Sequence, residues 1–401
     1  MNKKNRLSSL IFVLTIFLCG CGEVSSKYDG KVTAIINKEV DTFTQPVEEK
    51  YVNEYCDKSN RLGFELYINN DDKNKIVSPI TLCNTLLDLS NIFDDDFSNN
   101  IEKVIPNYKE YIDAKELSKT QLNELYTKRV VWMDYALALK HNTSDINYST
   151  FSDFDFYLVN NMNKNRNETV NNYVKEKLEI EDDIILDTSG HTLELVGINI
   201  LNGNIILNSN DVSYKTDVFQ GKDILNEKQY LSANNVSLKY HKENNISIIE
   251  FPLESNNRSM VLDILISNND ENISDVLKTK SYDYLLNLIT SVTDKNYVTF
   301  KSFQMPIIDN IYNLYNNEYL KESNLGFLFN STKLNIGDNK LENISLNQLN
   351  QVNKFNIGVS DKVFIENKED SFESIKIDKS FTYIVRDKTN NTIVYIADFD
   401  N

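Results

Sequence analysis

A short apolar stretch that runs through a Ser-Pro pair into a longer apolar stretch is the feature that most restricts the fold of the N-terminal half. Residues 75–77 have the character of a short β-strand, and residues 79–89 have that of an apolar helix. Proline is well tolerated in the first turn of a helix, because the N–H that it lacks would have no helical partner there. The segment therefore predicts a strand that leads directly into a helix beginning at Pro79.

The whole chain combines a helical first third with a strand-rich remainder. Residues 51–69 carry apolar side chains at helical spacing, and beyond Leu193 most apolar stretches are short and strand-like, with hairpins late in the chain. The chain has 401 residues, of which 41% are apolar, so it can bury a sizeable core. Length alone suggests two or three domains, although single domains also reach this size. The expected fold class is α+β.

The first twenty residues have the pattern of an export signal. Basic residues precede an apolar run over residues 10–18, which is too short for a membrane-spanning helix of about 20 residues. The run ends in Leu-Cys-Gly-Cys, which resembles the bacterial lipobox, whose cysteine is lipidated and becomes the first residue after cleavage. This resemblance implies lipid attachment at Cys21. In the alternative interpretation, an ordinary signal is cleaved and Cys21 has no such role.

These features divide the chain into a lipoprotein signal peptide (residues 1–20), a polar tether (residues 21–50) and a folded domain (residues 51–401). The tether has no sustained apolar periodicity, which is typical of a flexible linker. Lipid chains would hold the protein at a membrane face, because each buried methylene contributes about 0.8 kcal/mol. We therefore expect a protein that is lipid-anchored to the extracytoplasmic face of a bacterial cell membrane.

The net charge argues against two classes of partner. It is -17 for the whole chain, and removal of the signal peptide would take away Lys3, Lys4 and Arg6 and no acidic residue, which leaves -20. A nucleic-acid-binding protein needs a basic surface, so we expect no nucleic-acid partner. Adsorption to anionic lipid headgroups is disfavoured for the same reason. Membrane attachment would therefore depend on the lipid.

No catalytic or metal-binding motif is found in the sequence. The histidines, His141, His191 and His241, lie near no GxSxG motif, and there is no HExxH motif or glycine-rich phosphate loop. After processing, Cys56 and Cys83 remain; neither has a metal-site spacing, and the sequence leaves their pairing open. Three aspartates at residues 94–96 could bind a cation, but we expect a solvated loop after a helix. We therefore expect no enzyme activity, no cofactor and no metal.

Several segments, in order along the chain, match the pattern of one family. They include the Ser-Pro pair with its helix, an Asn-x-Tyr-Val helical segment, a Leu-Val-Gly-Ile strand, and neighbouring strands with Glu-Phe-Pro and Ser-Met. These segments are residues 75–89, 170–177, 195–203, 248–253 and 259–266, followed by residues 353–361, 378–387 and 392–397. In their order and spacing they resemble the serpin family over about residues 50–400.

The resemblance implies a serpin-like fold, in which a helical N-terminal part packs on large mixed and antiparallel β-sheets. In an inhibitory serpin, a protease cleaves an exposed loop, which then inserts as a strand into the main sheet and traps the acyl-enzyme. Insertion demands a hinge glycine and then small residues, because unpaired charges cost several kcal/mol each to bury.

The equivalent loop of this chain lacks these features. It has no glycine and no alanine, it is rich in Lys, Glu and Asp, and it is several residues shorter than in inhibitory members. If its residues alternated between the faces of a strand, Val363 and Ile365 would point inward, but so would Asn367 and Glu369. The residues of this reactive-loop equivalent are Lys362, Val363, Phe364, Ile365, Glu366, Asn367, Lys368, Glu369, Asp370, Ser371, Phe372, Glu373 and Ser374.

Serpins also have a polar gate over the insertion slot, the shutter. The resemblance places it at Ser78, Thr81, Gly197 and Asn353, where the family has a Ser, a second hydroxyl, an Asn and a His. The two hydroxyl residues are kept, whereas the Asn and the His are replaced. This pattern suggests a sheet that no longer needs to open; the alternative is sequence drift in a divergent member that still inhibits.

The sequence therefore predicts a membrane-anchored, extracytoplasmic serpin-fold lipoprotein that is non-inhibitory and has a binding or structural role. The alternative is a surface-anchored inhibitor of serine or cysteine proteases that acts by trapping. A ligand carrier is a third hypothesis. We expect a monomer whose candidate partner is a protease or another surface protein.

Overall fold

The computed structural model describes residues 48–111, 125–134, 154–159, 166–181, 193–209, 211–222, 225–255, 259–269, 271–314, 317–330, 332–336, 339–363 and 371–400. The predicted signal peptide with Cys21, and the tether up to residue 47, lie outside the described residues. So do His141, His191 and residues 364–370 of the predicted loop. The last two residues of the predicted tether belong to the first helix.

The helices of the described residues are α1 (Glu49–Asn69), α2 (Pro79–Ser90), α3 (Asp95–Val104), α4 (Arg166–Leu178), α5 (Ile273–Lys278), α6 (Tyr282–Thr290) and α7 (Asn317–Glu322). The strands are β1 (Ile76–Val77), β2 (Leu125–Asp134), β3 (Asp155–Val159), β4 (Leu193–Leu207), β5 (Val212–Gln220), β6 (Leu225–Glu243), β7 (Ile246–Pro252), β8 (Met260–Ser267), β9 (Tyr297–Pro306), β10 (Asp309–Leu314), β11 (Thr332–Ile336), β12 (Asn339–Ile344), β13 (Leu346–Val363), β14 (Ser371–Lys376), β15 (Phe381–Asp387) and β16 (Thr392–Phe399).

Two large sheets organise these elements. Sheet A has the strand order β10-β13-β4-β2-β3, with β13 parallel to β4 and β2 parallel to β3. Sheet B runs β1-β16-β15-β8-β7-β6-β9-β14, and β5 also pairs with β6. Its pairs are antiparallel except for β14 with β9. The α+β class with mixed and antiparallel sheets, expected from the sequence, is confirmed.

Sheet A is covered on both faces, and the side chains of its strands alternate between two cores. Val131 and Leu195 face the main core, which also contains the apolar side chains of α1, α2 and sheet B. Trp132 and Val196 face a smaller core, which they share with Tyr173 of α4. This alternation is the period of two expected for a strand that is buried on both sides.

The Ser-Pro segment forms the predicted strand and helix. Ile76 and Val77 pair with β16, and α2 begins at Pro79 with all of its residues buried. A helix that is apolar all round belongs in a core, and α2 lies against α1 and β16. Gly63 of α1 permits this close packing, because a Cβ at residue 63 would collide with the Pro79 ring.

The aspartates at residues 94–96 begin a helix, so the expectation of a solvated loop after a helix was wrong at this point. Asp94 is the N-cap of α3, and its side chain accepts a hydrogen bond from the Phe97 N–H at 3.1 Å. Asp95 and Asp96 lie in the first turn, where negative charge interacts favourably with the helix dipole. The acidic run therefore has a structural explanation.

The two cysteines left open by the sequence are free thiols in the core. Cys56 lies in α1 and Cys83 in α2, and both are buried. Burial raises the pKa of Cys83 to about 12, which disfavours its reactive thiolate form. Cys56 Sγ accepts a hydrogen bond from Thr392 Oγ1 at 2.9 Å.

A buried ion cluster joins three strands of sheet B. Arg386 Nε donates to Asp263 at 2.5 Å, and Arg386 Nη2 donates to Glu250 at 3.1 Å. Lys388 Nζ donates to both carboxylate oxygens of Glu250, at 2.8 and 2.9 Å. Burial raises the pKa of Asp263 to about 6, an effect that Arg386 opposes and the Glu250 charge adds to. The cluster therefore depends on the guanidinium of Arg386.

We predict that Arg386→Leu lowers the free energy of unfolding by about 3 to 5 kcal/mol, because it leaves two carboxylates buried without their main cation. As the pH falls from 7 towards 5, the buried Asp263 carboxylate of the folded variant takes up protons more readily than that of the unfolded chain. The loss of free energy of unfolding, relative to the unsubstituted protein, therefore becomes smaller over this range. Denaturant unfolding at both pH values measures it. Lys388→Ala is the control, with a smaller loss because Lys388 is 26% exposed. Equal losses for both variants would contradict the prediction.

Candidate functional site

The pairing of β4 with β13 forms a continuous seam through the middle of sheet A. Twelve consecutive residue pairs run from Gln348 opposite Glu194 to Val359 opposite Ile205. Leu346 opposite Leu193 and Val363 opposite Leu207 extend the pairing beyond irregularities at either end. The backbone of sheet A is therefore closed along this seam, with no gap between the two strands.

A network of buried amide groups lies at the centre of the seam, on the face towards α2. Asn199 Nδ2 donates to Asn353 Oδ1 at 2.9 Å. Asn353 Nδ2 donates to the Ile76 carbonyl oxygen at 2.7 Å and to Gln351 Oε1 at 3.1 Å. Each of these three side chains is at most 5% exposed. The network therefore links β4, β13 and β1 in a region from which solvent is excluded.

Gln351 continues the network into α2. Its Nε2 donates to Thr81 Oγ1 at 2.9 Å and to the Ser78 carbonyl oxygen at 3.1 Å. Its Oε1 accepts from the Ser78 N–H, also at 3.1 Å. Ser78 Oγ in turn donates to the Val394 carbonyl oxygen at 2.9 Å. Gln351 is therefore the residue that joins the seam to the start of α2 and, through Ser78, to β16.

The structure brings together the four residues predicted for the shutter and adds two that the sequence did not single out. Ser78, Thr81 and Asn353 belong to the network, and Gly197 lies directly opposite Gln351 in the sheet. The missed members are Gln351 and Asn199. Both lie two residues from a predicted position, so the period-two rule of a strand, applied to Asn353 and Gly197, would have found them.

A second contact lies at the end of the seam, beside the start of the predicted loop. Ser360 Oγ donates to the Glu254 carboxylate at 2.8 Å, and Lys362 Nζ is 2.8 Å from the same group. The Glu254 N–H donates to the Asn204 carbonyl oxygen at 2.8 Å. The hydrogen bond from Lys362, followed by that from Ser360, lowers the pKa of Glu254. Glu254 therefore connects the ends of both strands of the seam.

The predicted loop residues fall into three parts. Lys362 and Val363 are the last residues of β13, and residues 364–370 lie outside the described residues. Residues 371–374 are the first part of β14, which pairs in parallel with β9 over the stretch from Ser371 opposite Thr299 to Lys376 opposite Gln304. Seven residues therefore separate the end of β13 from the start of β14.

Strand β14 is held in sheet B by side chains as well as by its backbone. Lys376 Nζ lies 3.1 Å from Asp217 of β5 and 5.3 Å from the ring centre of Tyr230 of β6. The Ile377 N–H donates to the Gln304 carbonyl oxygen at 2.9 Å, and the Ile377 side chain is buried. The chain after the loop is therefore fixed at the edge of sheet B, beside β9.

Two features are absent from the part of the chain that the structure describes. No three His, Cys, Asp or Glu side chains among them are grouped so that they could hold a metal ion. None of the described helices combines the length and the apolar character that crossing a membrane requires.

Comparison with known proteins gives a match in structure alone. No protein-family model matches the sequence, and no curated protein matches it. The thermophilic serpin tengpin in its native state matches with a TM-score of 0.67 at 16% identity, over 90% of this chain and 96% of tengpin. SRPN18 from Anopheles gambiae matches with a TM-score of 0.69 at 12% identity, over 87% of this chain and 98% of SRPN18.

Native protease nexin-1, solved with heparin, matches with a TM-score of 0.68 at 13% identity, over 88% of this chain and 99% of that one. The chain has the serpin fold. The resemblance seen in the order of the sequence motifs is thereby confirmed at the level of the fold. At identities this low, the matches show that the chain shares the serpin architecture, and they show nothing about its activity.

Within this serpin fold, we predict that Gln351→Leu lowers the free energy of unfolding by about 2 to 4 kcal/mol, because it leaves the buried Ser78 N–H without its acceptor and removes the amide that Asn353 and Thr81 bond to. Thermal and denaturant unfolding measure the loss. The matched control is Asn356→Leu, which changes an amide on the same strand that lies beside Asn202 at the surface. A loss at residue 351 no larger than that at residue 356 would contradict the prediction.

Proposed function

We propose that this protein is a lipid-anchored, extracytoplasmic serpin-fold protein that does not trap proteases and has a binding or structural role. The observation that carries the proposal is the length of chain between β13 and β14. Trapping requires the loop to turn back at the end of β13 and lie as a new strand between β4 and β13. The available chain is too short for that strand.

The seam between β4 and β13 is longer than residues 364–370 can reach. The continuous part of the seam contains twelve residue pairs, which span about 40 Å at roughly 3.3 Å per residue. The seven residues 364–370 reach at most about 25 Å when fully extended. A strand that filled the slot would have to take its remaining residues from β14. Removing β14 would break its pairing with β9 and expose Ile377, so complete insertion is opposed by the stability of sheet B.

Composition supports the same conclusion. A strand inserted in the middle of sheet A would be buried on both faces, as β4 and β13 are. Residues 364–370 include Glu366, Lys368, Glu369 and Asp370, and no glycine or alanine. Burying each unpaired charge would cost several kcal/mol. Insertion would also have to separate β13 from β4, with loss of the amide hydrogen bond between Asn199 and Asn353.

The second candidate function is a surface-anchored inhibitor that acts by trapping. The observation that favours it is that sheet A has β4 and β13 as parallel neighbours, with no strand between them. An antiparallel strand could enter between two such strands. Ser78 and Thr81 also keep the hydroxyl groups of an inhibitory shutter.

Incubation with a panel of serine and cysteine proteases separates the two functions. We expect cleavage within residues 364–370, no covalent complex on a denaturing gel, and no rise in the melting temperature after cleavage, because the cut loop cannot insert. An inhibitory serpin treated with the same proteases is the positive control. A complex that survives denaturation would refute the non-inhibitory proposal and establish the second candidate.

The membrane anchor is a separate part of the proposal. It is supported by the Leu-Cys-Gly-Cys sequence after an apolar run too short to span a membrane. We predict that Cys21→Ala moves the protein from the membrane fraction to the soluble fraction, because the lipid is lost. Cys19→Ala is the matched control and should leave the protein in the membrane fraction. Membrane retention of the Cys21→Ala variant would count against lipidation; immunoblots of the two fractions provide the measurement.

A further inference from the structure

A small cavity with both polar and apolar residues around it lies between the seam of sheet A and α2. Every residue around it is buried, and the polar ones come from four different elements. The centre of a water-sized sphere can occupy about 10 Å³ within it. The lining residues with polar side chains are Thr81, Thr85, Arg129, Asn199, Asn350 and Gln351. The cavity therefore offers polar groups beside the side chains of Leu82, Leu195 and Leu349, and it is just large enough for one water molecule.

The hydrogen bonds of the amide network have a direction, and the network is incomplete at its starting point. Asn199 donates to Asn353, Asn353 donates to Gln351, and Gln351 donates to Thr81 and to the Ser78 carbonyl. No donor among the described residues bonds to the Oδ1 of Asn199, although this side chain is only 1% exposed. A buried carbonyl without a donor is unfavourable, and Asn199 lines the cavity.

We propose that the cavity is an internal water-binding site, in which one water molecule donates a hydrogen bond to Asn199 Oδ1 and thereby completes the amide network. A buried water needs two to four polar partners, and the cavity wall supplies hydroxyl, amide and guanidinium groups. The Thr85 hydroxyl donates its one proton to the Thr81 carbonyl oxygen at 2.8 Å, so towards a water it can act only as an acceptor. The water joins β4 to α2 at the centre of the seam.

Gly197 makes room for this water. In β4, position 197 faces the same side as Leu195 and Asn199, and all three line the cavity. A Cβ at residue 197 would meet only the Asn350 carbonyl oxygen, at 3.8 Å, so no neighbour would obstruct a side chain there. A side chain at this position would take up part of the cavity. The lack of a side chain at residue 197 therefore leaves room for a water molecule in a region that is otherwise closely packed.

A crystal structure of the full chain, at a resolution that shows ordered waters, tests the proposal directly. We expect one density peak within hydrogen-bonding distance of Asn199 Oδ1, inside the cavity. An empty cavity would overturn the proposal. So would a structure in which a protein group donates to Asn199 Oδ1, because the network would then be complete without solvent.

Thermal unfolding of Gly197→Ala provides a second test. Alanine would ordinarily stabilise a strand relative to glycine, and a methyl group that filled a dry cavity would stabilise it further. If the cavity holds the proposed water, the methyl group expels it and leaves Asn199 Oδ1 without a donor, so the melting temperature falls by several degrees. An unchanged or higher melting temperature would overturn the proposal.

The Asn199→Leu background isolates the role of the carbonyl group. Leucine needs no hydrogen-bond donor, so adding Gly197→Ala to this background should leave the melting temperature unchanged or raise it. The fall caused by Gly197→Ala should appear only when Asn199 is present. An equal fall in both backgrounds would show that the methyl group is simply too large for the site, and would overturn the assignment of the water to Asn199.

Discussion

The parallel pairing of β4 with β13 holds together strands that are about 150 residues apart in the sequence, and most of the site depends on it. It places Asn199 beside Asn353 and Gly197 beside Gln351. Parallel strands cannot be joined by a tight turn, so their register must come from side chains. The amide network supplies that register, because a slip of one residue would turn Gln351 and Asn353 to the other face of the sheet and leave buried amides unpaired.

The same pairing limits what the chain beyond β13 can do. The seam runs the length of sheet A, Glu254 connects the ends of its two strands beside the loop, and only seven residues separate β13 from β14. In a serpin fold, loop insertion is driven by new backbone hydrogen bonds and new buried area, both of which grow with the length of the inserted strand. A short, charged connection gains little of either. Chain length therefore supports the proposed non-inhibitory role more strongly than any single residue does.

Local patterns predicted much of the fold and only part of the candidate site. The helix that starts at Pro79 and the strand before it were recognisable because proline chemistry and an apolar run act within a few residues. The cap formed by Asp94 was missed, since a run of aspartates reads equally well as a loop or as the start of a helix. The strand at Ser371 was also missed, because its charged and polar residues are tolerated at the edge of sheet B, where β9 provides its pairing.

By itself, the sequence determined the α+β class, the strand and helix on either side of the Ser-Pro pair, and the composition of the segment between β13 and β14. These properties depend on residue type and local periodicity. Tertiary structure alone decided which polar residues meet: Gln351 and Asn199 became part of the network only when β4 and β13 aligned, and Gly197 became a cavity wall only when α2 packed over the seam. The physical reason is that a hydrogen bond or a cavity of this kind forms between two segments that are distant in the sequence. Local sequence patterns describe each segment alone and do not show which segments meet.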